Sequence, residues 1–189
     1  MAEKAWEGVL RIPYPGRSRK PRKTGLTMVI DKGLGKHTLK DLISCAGNYV
    51  DIIKLTFGTS AFYDQDVLLK KNELIASSDI DVMPGGTFLE VAVWQNSLEA
   101  YLKRARVLGF TAIEISDGTI EMGKSLRKEV IQRTLDRGFK VITEVGKKDP
   151  AEAPSLEVVH DLIREDLASG AFKVIIEARE AGRGVGIFD

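Results

Sequence analysis

Cysteine is nearly absent from this sequence, since Cys45 is the only one among 189 residues. No disulfide can form within the chain, which fits a reducing compartment, so we expect a cytoplasmic protein. The sequence contains no Cys/His cluster that would suit zinc. No apolar run approaches the roughly 20 residues of a membrane-spanning helix. The net charge of +1 gives no bulk charge that favours nucleic acid or a membrane as a partner.

The rest of the composition is that of an ordinary globular domain, with 43% hydrophobic and 29% charged residues. One local bias stands out, because basic residues and prolines are concentrated between residues 13 and 23. Such a stretch could contact phosphate or an acidic partner, but short charge runs are usually just solvated. We therefore interpret residues 1–24 as an N-terminal arm and residues 25–189 as one domain.

From residue 25 onwards the chain repeats one unit, in which a short apolar run rich in β-branched residues alternates with an amphipathic helix pattern. Such runs between helices are typical of strands buried in a parallel sheet. The six runs are 26–30 (LTMVI), 50–55 (VDIIKL), 80–83 (IDVM), 112–115 (AIEI), 140–145 (KVITEV) and 173–177 (KVIIE). The sequence therefore predicts an α/β fold with six parallel strands in chain order.

The helix patterns have recognisable ends, with Thr38, Asp64, Ser97 or Ser155 as the capping residue at the start and a glycine just past the end. The terminal glycines recur about every 30 residues, which is the length of a βα unit. A closed (β/α)₈ barrel needs eight strands. The pattern thus leaves two alternatives, an open sheet or a TIM barrel truncated after the sixth strand.

Polar residues gather where the predicted strands end. In a parallel barrel all these strand ends face one mouth, where the active site lies. We therefore expect one shared site rather than scattered structural ion pairs. Carboxylates on neighbouring strands suit Mg²⁺, and a Gly-Gly turn can bring backbone N–H groups close to an oxyanion. These residues are Asp31, Lys32, Lys54, Gly85, Gly86, Thr87, Glu114, Glu144, Lys147, Lys148, Glu177 and Arg179.

Six segments, in order along the chain, resemble the (2R)-phospho-3-sulfolactate synthase family. They are 25–33 (GLTMVIDKG), 51–60 (DIIKLTFGTS), 84–87 (PGGT), 113–119 (IEISDGT), 143–148 (TEVGKK) and 174–180 (VIIEARE). The resemblance implies a (β/α)₈ barrel that uses Mg²⁺ to add sulfite to phosphoenolpyruvate. It also implies two further βα units after residue 189, so we expect a truncated barrel.

The resemblance suggests a role for one of the candidate residues in particular. It favours Lys148 as the acid that protonates the substrate, with Lys147, Asp31 and Lys32 as further catalytic candidates. Position and charge suggest the rest of the site. The substrate-binding candidates are Lys54, Gly85, Gly86, Thr87 and Arg179, and the metal candidates are Glu114, Glu144 and Glu177.

Two other functions remain open. A Schiff-base aldolase would use Lys54 as its nucleophile. A non-catalytic, heat-stress-associated protein could use the same barrel, because fold does not determine function. A sheet of six strands would leave two edges unpaired, so we also expect a homo-oligomer.

Overall fold

The computed structural model of the chain describes residues 5–10, 18–147 and 154–176. Within these ranges there are six strands, and each begins and ends within two residues of a predicted run. They are β1 (Met28–Asp31), β2 (Ile52–Leu55), β3 (Asp81–Pro84), β4 (Ala112–Ile115), β5 (Lys140–Val145) and β6 (Lys173–Ile176). The α-helices are α1 (Lys36–Ala46), α2 (Gln65–Ala76), α3 (Gly86–Trp94), α4 (Leu98–Val107), α5 (Lys124–Asp136) and α6 (Leu156–Ala168).

Neighbouring strands run parallel and follow one another in chain order. One three-stranded sheet has the order β1-β2-β3, and a second has the order β4-β5-β6. In the first, Lys54 of β2 lies level with Ile30 of β1 and Met83 of β3. Sequential order is the arrangement expected for right-handed crossovers between adjacent strands. The described strands show no reversal of order of the kind that defines a doubly wound sheet, so the predicted α/β fold with sequential parallel strands is confirmed.

Thr111, the residue before β4, joins the two sheets. Its N–H donates to the Val82 carbonyl at 3.1 Å, and its hydroxyl accepts the Val82 N–H at 2.9 Å. The same hydroxyl donates to Asp81 at 3.1 Å, and Asp81 in turn pairs with the Lys140 ammonium. The Thr111 carbonyl accepts the Lys140 N–H at 3.1 Å. This seam connects β3, β4 and β5 at their amino ends.

The two faces of the strands are packed differently. Because side chains alternate between faces along a strand, one set faces the helices and builds the larger core, including Ile53, Val82 and Ile113. The other set forms a smaller cluster that contains no helix residue, and we call this side the inner face. Its apolar members are Met28, Ile52, Met83, Ala112, Ile142 and Ile175.

Several of the predicted helix ends are confirmed. Ser155 caps α6, because its side chain accepts the Val158 N–H at 3.4 Å. Gly109, Gly138 and Gly170 follow α4, α5 and α6 with φ values of +79°, +76° and +103°. This left-handed conformation lets glycine end a helix without steric strain.

Two details of the helices differ from the prediction. The first helix begins at Lys36 after Gly35, so Thr38 is not its cap. Helix α3 was not predicted at all, because the segment 86–94 (GTFLEVAVW) is apolar almost throughout and shows no clear 3.6-residue period. No helix in the described ranges has the length and apolarity needed to cross a membrane.

The end of the N-terminal arm packs against the amino ends of the strands. Arg22 is buried, and its guanidinium binds the Asp51 carboxylate at 2.7 Å and the Ser18 carbonyl at 2.9 Å. Lys20 donates to the Asp79 carbonyl at 3.0 Å. These residues are therefore attached to the domain rather than solvated, and the boundary at residue 24 stays a prediction.

The seam gives a testable expectation for stability. Thr111→Val keeps the shape of the side chain but leaves the Val82 N–H without its acceptor. We expect a loss of about 1–3 kcal/mol in the free energy of unfolding, the usual range for an unsatisfied buried donor. Urea denaturation measures this loss, with Thr24→Val at an exposed position as the matched control. An equal stability of both variants would contradict a structural role for the seam.

Candidate active site

Three charged side chains meet on the inner face near the carboxyl ends of the strands. Lys54, Glu114 and Glu144 each occupy the next-to-last position of their strands, β2, β4 and β5. The Lys54 ammonium lies 2.5 Å from Glu114 Oε1 and 3.5 Å from Glu144 Oε2. The structure thus brings together three of the predicted site residues.

Burial controls the protonation of this cluster. The Glu114 side chain is fully buried, whereas those of Lys54 and Glu144 are 15% and 13% exposed. Burial raises the pKa of Glu114 to about 7; the Lys54 charge opposes this shift, and the nearby Glu144 adds to it. Burial alone would lower the pKa of Lys54, but the two carboxylates outweigh it and raise this pKa above its usual value. Lys54 is therefore a charged ammonium at neutral pH.

The Gly85–Gly86 turn lies against Glu114 at the start of α3. The Gly86 N–H donates to Glu114 Oε2 at 2.9 Å, and the Gly85 N–H donates to the Leu55 carbonyl at 2.9 Å. The expectation that both N–H groups are free for an oxyanion is therefore wrong for this arrangement. A Cβ at position 86 would overlap the Ser116 hydroxyl and lie 3.2 Å from Glu114 Cγ, so only glycine fits there. Thr87 is half-buried in the first turn of the helix.

Glu90 organises the segment that follows β4. It is buried on α3, and its Oε1 accepts the Ser116 hydroxyl and the Gly118 N–H. Its Oε2 accepts the N–H and hydroxyl of Thr119 and the N–H of Ile120. Burial alone would raise the pKa of Glu90, but these hydrogen bonds hold it below its usual value. We call residues 116–120 the β4–α5 segment.

The Lys147 ammonium is bound to the same segment. It donates to the carbonyls of Asp117 at 2.6 Å and Ile120 at 3.3 Å, and it lies 3.8 Å from the Asp117 carboxylate. Burial raises the pKa of Asp117, although the charges of Arg127 and Lys147 oppose this shift. The side chain of Lys147 is half-buried, so its amine is placed by protein contacts rather than by solvent.

A buried arginine supports this region from the helix side. Arg127 of α5 forms a bidentate pair with Asp166 of α6, at 2.8 and 2.7 Å. It also donates to the Glu144 carbonyl at 3.0 Å and lies 3.4 Å from the Asp117 carboxylate. Arg127 thus positions the end of β5 and the β4–α5 segment together.

Asp31 lies at the predicted end of the sheet but does not join the cluster. As the last residue of β1 it faces the helices, where its Oδ2 lies 2.7 Å from the Lys71 ammonium. Its Oδ1 accepts the N–H groups of Gly33 and Leu34 at 2.8 and 2.7 Å. The expectation that Asp31 faces the same site as Lys54 is therefore wrong. Lys32 is exposed.

Three predicted site residues, Lys148, Glu177 and Arg179, lie outside the described residues. Sequence reasoning missed Glu90, Arg127 and Asp166. A signal for Glu90 existed, because it is the one charged residue in the apolar segment 86–94. Arg127 and Asp166 gave none, since each lies in a helix with many other charged residues.

A model of the family described as (2R)-phospho-3-sulfolactate synthase (ComA) matches residues 15–189. The chain belongs to this family. Phosphosulfolactate synthases are lyase-type enzymes, so the predicted enzyme class is confirmed.

Two phosphosulfolactate synthases illustrate the degree of similarity. The protein of Methanothermobacter thermautotrophicus is 43% identical over 177 residues, which cover 93% of this chain and 69% of that protein. The protein of Methanocaldococcus jannaschii is 43% identical over 167 residues, covering 87% of this chain and 66% of that protein. The chain therefore spans about two thirds of the length of these relatives.

Solved structures support the fold. A 2,3-dimethylmalate lyase, described as a member of the PEP mutase/isocitrate lyase superfamily, superimposes with a TM-score of 0.58. The match covers 86% of this chain and 56% of that protein at 15% identity. At this identity the likeness concerns the fold alone, which is a parallel α/β arrangement in both proteins.

The close packing at Gly86 predicts the effect of adding one methyl group. Gly86→Ala should push Ser116 and Glu114 away from the α3 terminus and destabilise the chain by about 1–3 kcal/mol, as is usual for overpacking. Gly35→Ala is the control, because Gly35 also lies at a helix start, directly before α1, but has open space for a Cβ. Thermal unfolding of both variants measures the difference, and an unchanged Gly86→Ala would contradict the described packing.

Proposed function

We propose that the protein catalyses the addition of sulfite to phosphoenolpyruvate, giving (2R)-phospho-3-sulfolactate. The observation that carries this proposal is the Lys54–Glu114–Glu144 cluster at the carboxyl ends of parallel strands, in a chain that belongs to the synthase family. Active sites of parallel α/β barrels lie at this end. The proposal concerns the whole protein. The chain spans about two thirds of the length of its relatives.

The proposed reaction requires two events at neighbouring carbon atoms. The sulfite sulfur forms a bond to C3, and the electron pair of the double bond moves towards the substrate carboxylate, giving an enediolate. A proton is then added at C2, so that one sulfite, one phosphoenolpyruvate and one proton form the product. The protein must therefore stabilise the added negative charge and deliver a proton to one face of C2.

We propose a lysine of the 147–148 pair as the proton donor. Lys148 stays the first candidate by family resemblance. Lys147 is the described alternative, because its ammonium is held at the carboxyl end of β5 by the β4–α5 segment. A fixed ammonium can donate a proton without first paying the entropy of ordering.

Lys54 suits the binding of an anion better than it suits a Schiff base. A Schiff-base lysine must attack as the neutral amine. The carboxylates around Lys54 raise its pKa above the usual value, although burial opposes them. This observation speaks against the aldolase alternative. The non-catalytic alternative is decided by the assay below.

We propose Mg²⁺ as the cofactor. Of the two candidate ligands that the structure describes, Glu114 and Glu144, Glu144 fits better. Both oxygens of Glu114 already accept protein donors, Lys54 and Gly86, so Glu114 does not fit as a ligand in this arrangement. Glu144 has a longer contact with Lys54 and is more exposed. In the described ranges no three His, Cys, Asp or Glu side chains cluster to hold a metal. A Mg²⁺ ion that keeps several waters needs few carboxylates. It would stabilise negative charge on the substrate carboxylate.

The architecture of the whole protein is proposed to be a (β/α)₈ barrel, in which the six strands are followed by two more. Sequential parallel order supports this proposal. The homo-oligomeric state and the cytoplasmic location both stay predictions.

The proposed function predicts that one of two lysine variants loses turnover. In the whole protein, Lys148→Ala should lower the turnover number at least ~10²-fold, because it removes a general acid that acts in the transition state. Substrate affinity should change less. The measurement is product formation from sulfite and phosphoenolpyruvate, with the exposed Lys128→Ala as the control.

The outcomes distinguish the assignments. If Lys148→Ala stays active and Lys147→Ala does not, the acid is Lys147. If the wild-type protein makes no product at any Mg²⁺ concentration, the synthase proposal fails and the non-catalytic alternative becomes the better one.

A separate prediction concerns the metal. Glu144→Gln keeps the shape of the side chain but removes a charged oxygen ligand, so Mg²⁺ should bind at least ~10-fold more weakly. Excess Mg²⁺ should restore part of the activity of this variant, but none of the activity of Lys148→Ala. Calorimetry measures binding without turnover, and Glu121→Gln at an exposed position is the control. Unchanged Mg²⁺ binding in Glu144→Gln would remove Glu144 from the ligand set.

A further inference from the structure

Glu90 lies in a helix that has no other charged residue. A buried carboxylate is unfavourable unless its oxygens receive hydrogen bonds. Both oxygens of Glu90 do, from five donors. All five belong to the β4–α5 segment, residues 116–120. All of these hydrogen bonds of Glu90 therefore go to one short stretch of chain, which it binds from several directions.

The β4–α5 segment in turn holds the amine of Lys147. Two carbonyls of the segment, those of Asp117 and Ile120, accept hydrogen bonds from the Lys147 ammonium at 2.6 and 3.3 Å. Glu90 binds the N–H groups of residues 118–120, so one of these carbonyls belongs to the residue just before that stretch and the other to its last residue. Glu90 and Lys147 are thus connected through one rigid piece of backbone.

The β4–α5 segment also lies close to the Glu114 carboxylate. Ser116, whose hydroxyl donates to Glu90, packs against Gly86, and the Gly86 N–H binds Glu114. A shift of the segment would therefore move the ammonium of Lys147 and the packing around Glu114 together.

We propose that Glu90 is a positioning residue, which holds the Lys147 ammonium at the active site by binding the β4–α5 segment. The inference rests on the proposed function, because it assigns Glu90 to the proton-donating side of that site. Glu90 does not contact the reacting atoms. Its effect passes through the backbone at Asp117 and Ile120, so it should alter catalysis more than substrate affinity.

The test uses Glu90→Gln in the whole protein. The amide keeps the size of the side chain but places an NH₂ group where two or three N–H and O–H donors converge, so the segment should loosen. We expect the turnover number to fall by ~10- to 10²-fold, the scale of a small misplacement at a reacting centre. The Michaelis constant for phosphoenolpyruvate should change less than the turnover number. Glu121→Gln, an exposed neighbour of the segment, is the matched control.

A second readout follows Lys147 directly and does not depend on turnover. Acetic anhydride labels free amines, and mass spectrometry of peptides resolves the labelling rate of each lysine. In the wild type, Lys147 should react slowly, because its ammonium is half-buried and donates to two carbonyls. In Glu90→Gln it should react several-fold faster, whereas exposed Lys128 should react at the same rate in both proteins. Thr119→Val removes one donor to Glu90 and should give a smaller effect in the same direction, should Glu90→Gln prove too unstable to purify.

The outcomes separate this inference from the proposed function. If the wild type makes no product, the proposed function fails, and faster labelling of Lys147 still decides whether Glu90 holds it. If the labelling of Lys147 is unchanged in folded Glu90→Gln and Thr119→Val, the inference is overturned. It is also overturned if Lys147 labels faster while an active enzyme keeps its full turnover number.

Discussion

The Lys54–Glu114 ion pair joins the two three-stranded sheets on their inner face, because Lys54 belongs to β2 and Glu114 to β4. The second oxygen of Glu114 binds the Gly86 N–H at the start of α3. One carboxylate thus connects a strand of each sheet and a helix terminus. Removing Lys54 would leave the buried Glu114 without its cation, and an unpaired buried charge is strongly destabilising. This pair and its contact with Gly86 therefore hold β2, β4 and the start of α3 together at the carboxyl end.

A second set of buried charges lies on the helix side and frames the site from behind. Asp31 pairs with Lys71 and orders the turn after β1, and Arg127 pairs with Asp166 behind the end of β5. Alternation along the strands explains the division. The next-to-last residue of β2, β4 and β5 faces inwards, while the last residue of β1 faces the helices. Of the inward charges, Lys54 and Glu144 are partly exposed and Glu114 is buried beneath them, whereas the outward charges hold the loops.

The sequence predicted the βα repeat because each strand run is strongly apolar and each later helix ends at a glycine such as Gly138. It also predicted which strand ends carry Lys54, Glu114 and Glu144. It could not predict that Asp31 faces the helices, because a shift of one residue in the strand register reverses the face. Nor could it find Arg127, whose importance depends on a tertiary contact with Asp166.

The charge of the inner cluster limits how a substrate can bind. Two carboxylates surround one ammonium. The net charge of the cluster is therefore negative when Glu114 is ionised and zero when Glu114 is protonated, and its pKa of about 7 places this change near neutral pH. The proposed substrates, phosphoenolpyruvate and sulfite, are both anions, and they would be repelled by Glu144 unless other cations are present. Lys147 supplies one such charge, and its ammonium is already held in place by the β4–α5 segment. A site that binds two anions beside buried carboxylates therefore needs its cations positioned before the substrates arrive, which is the role that the contacts of Glu90 and Arg127 serve.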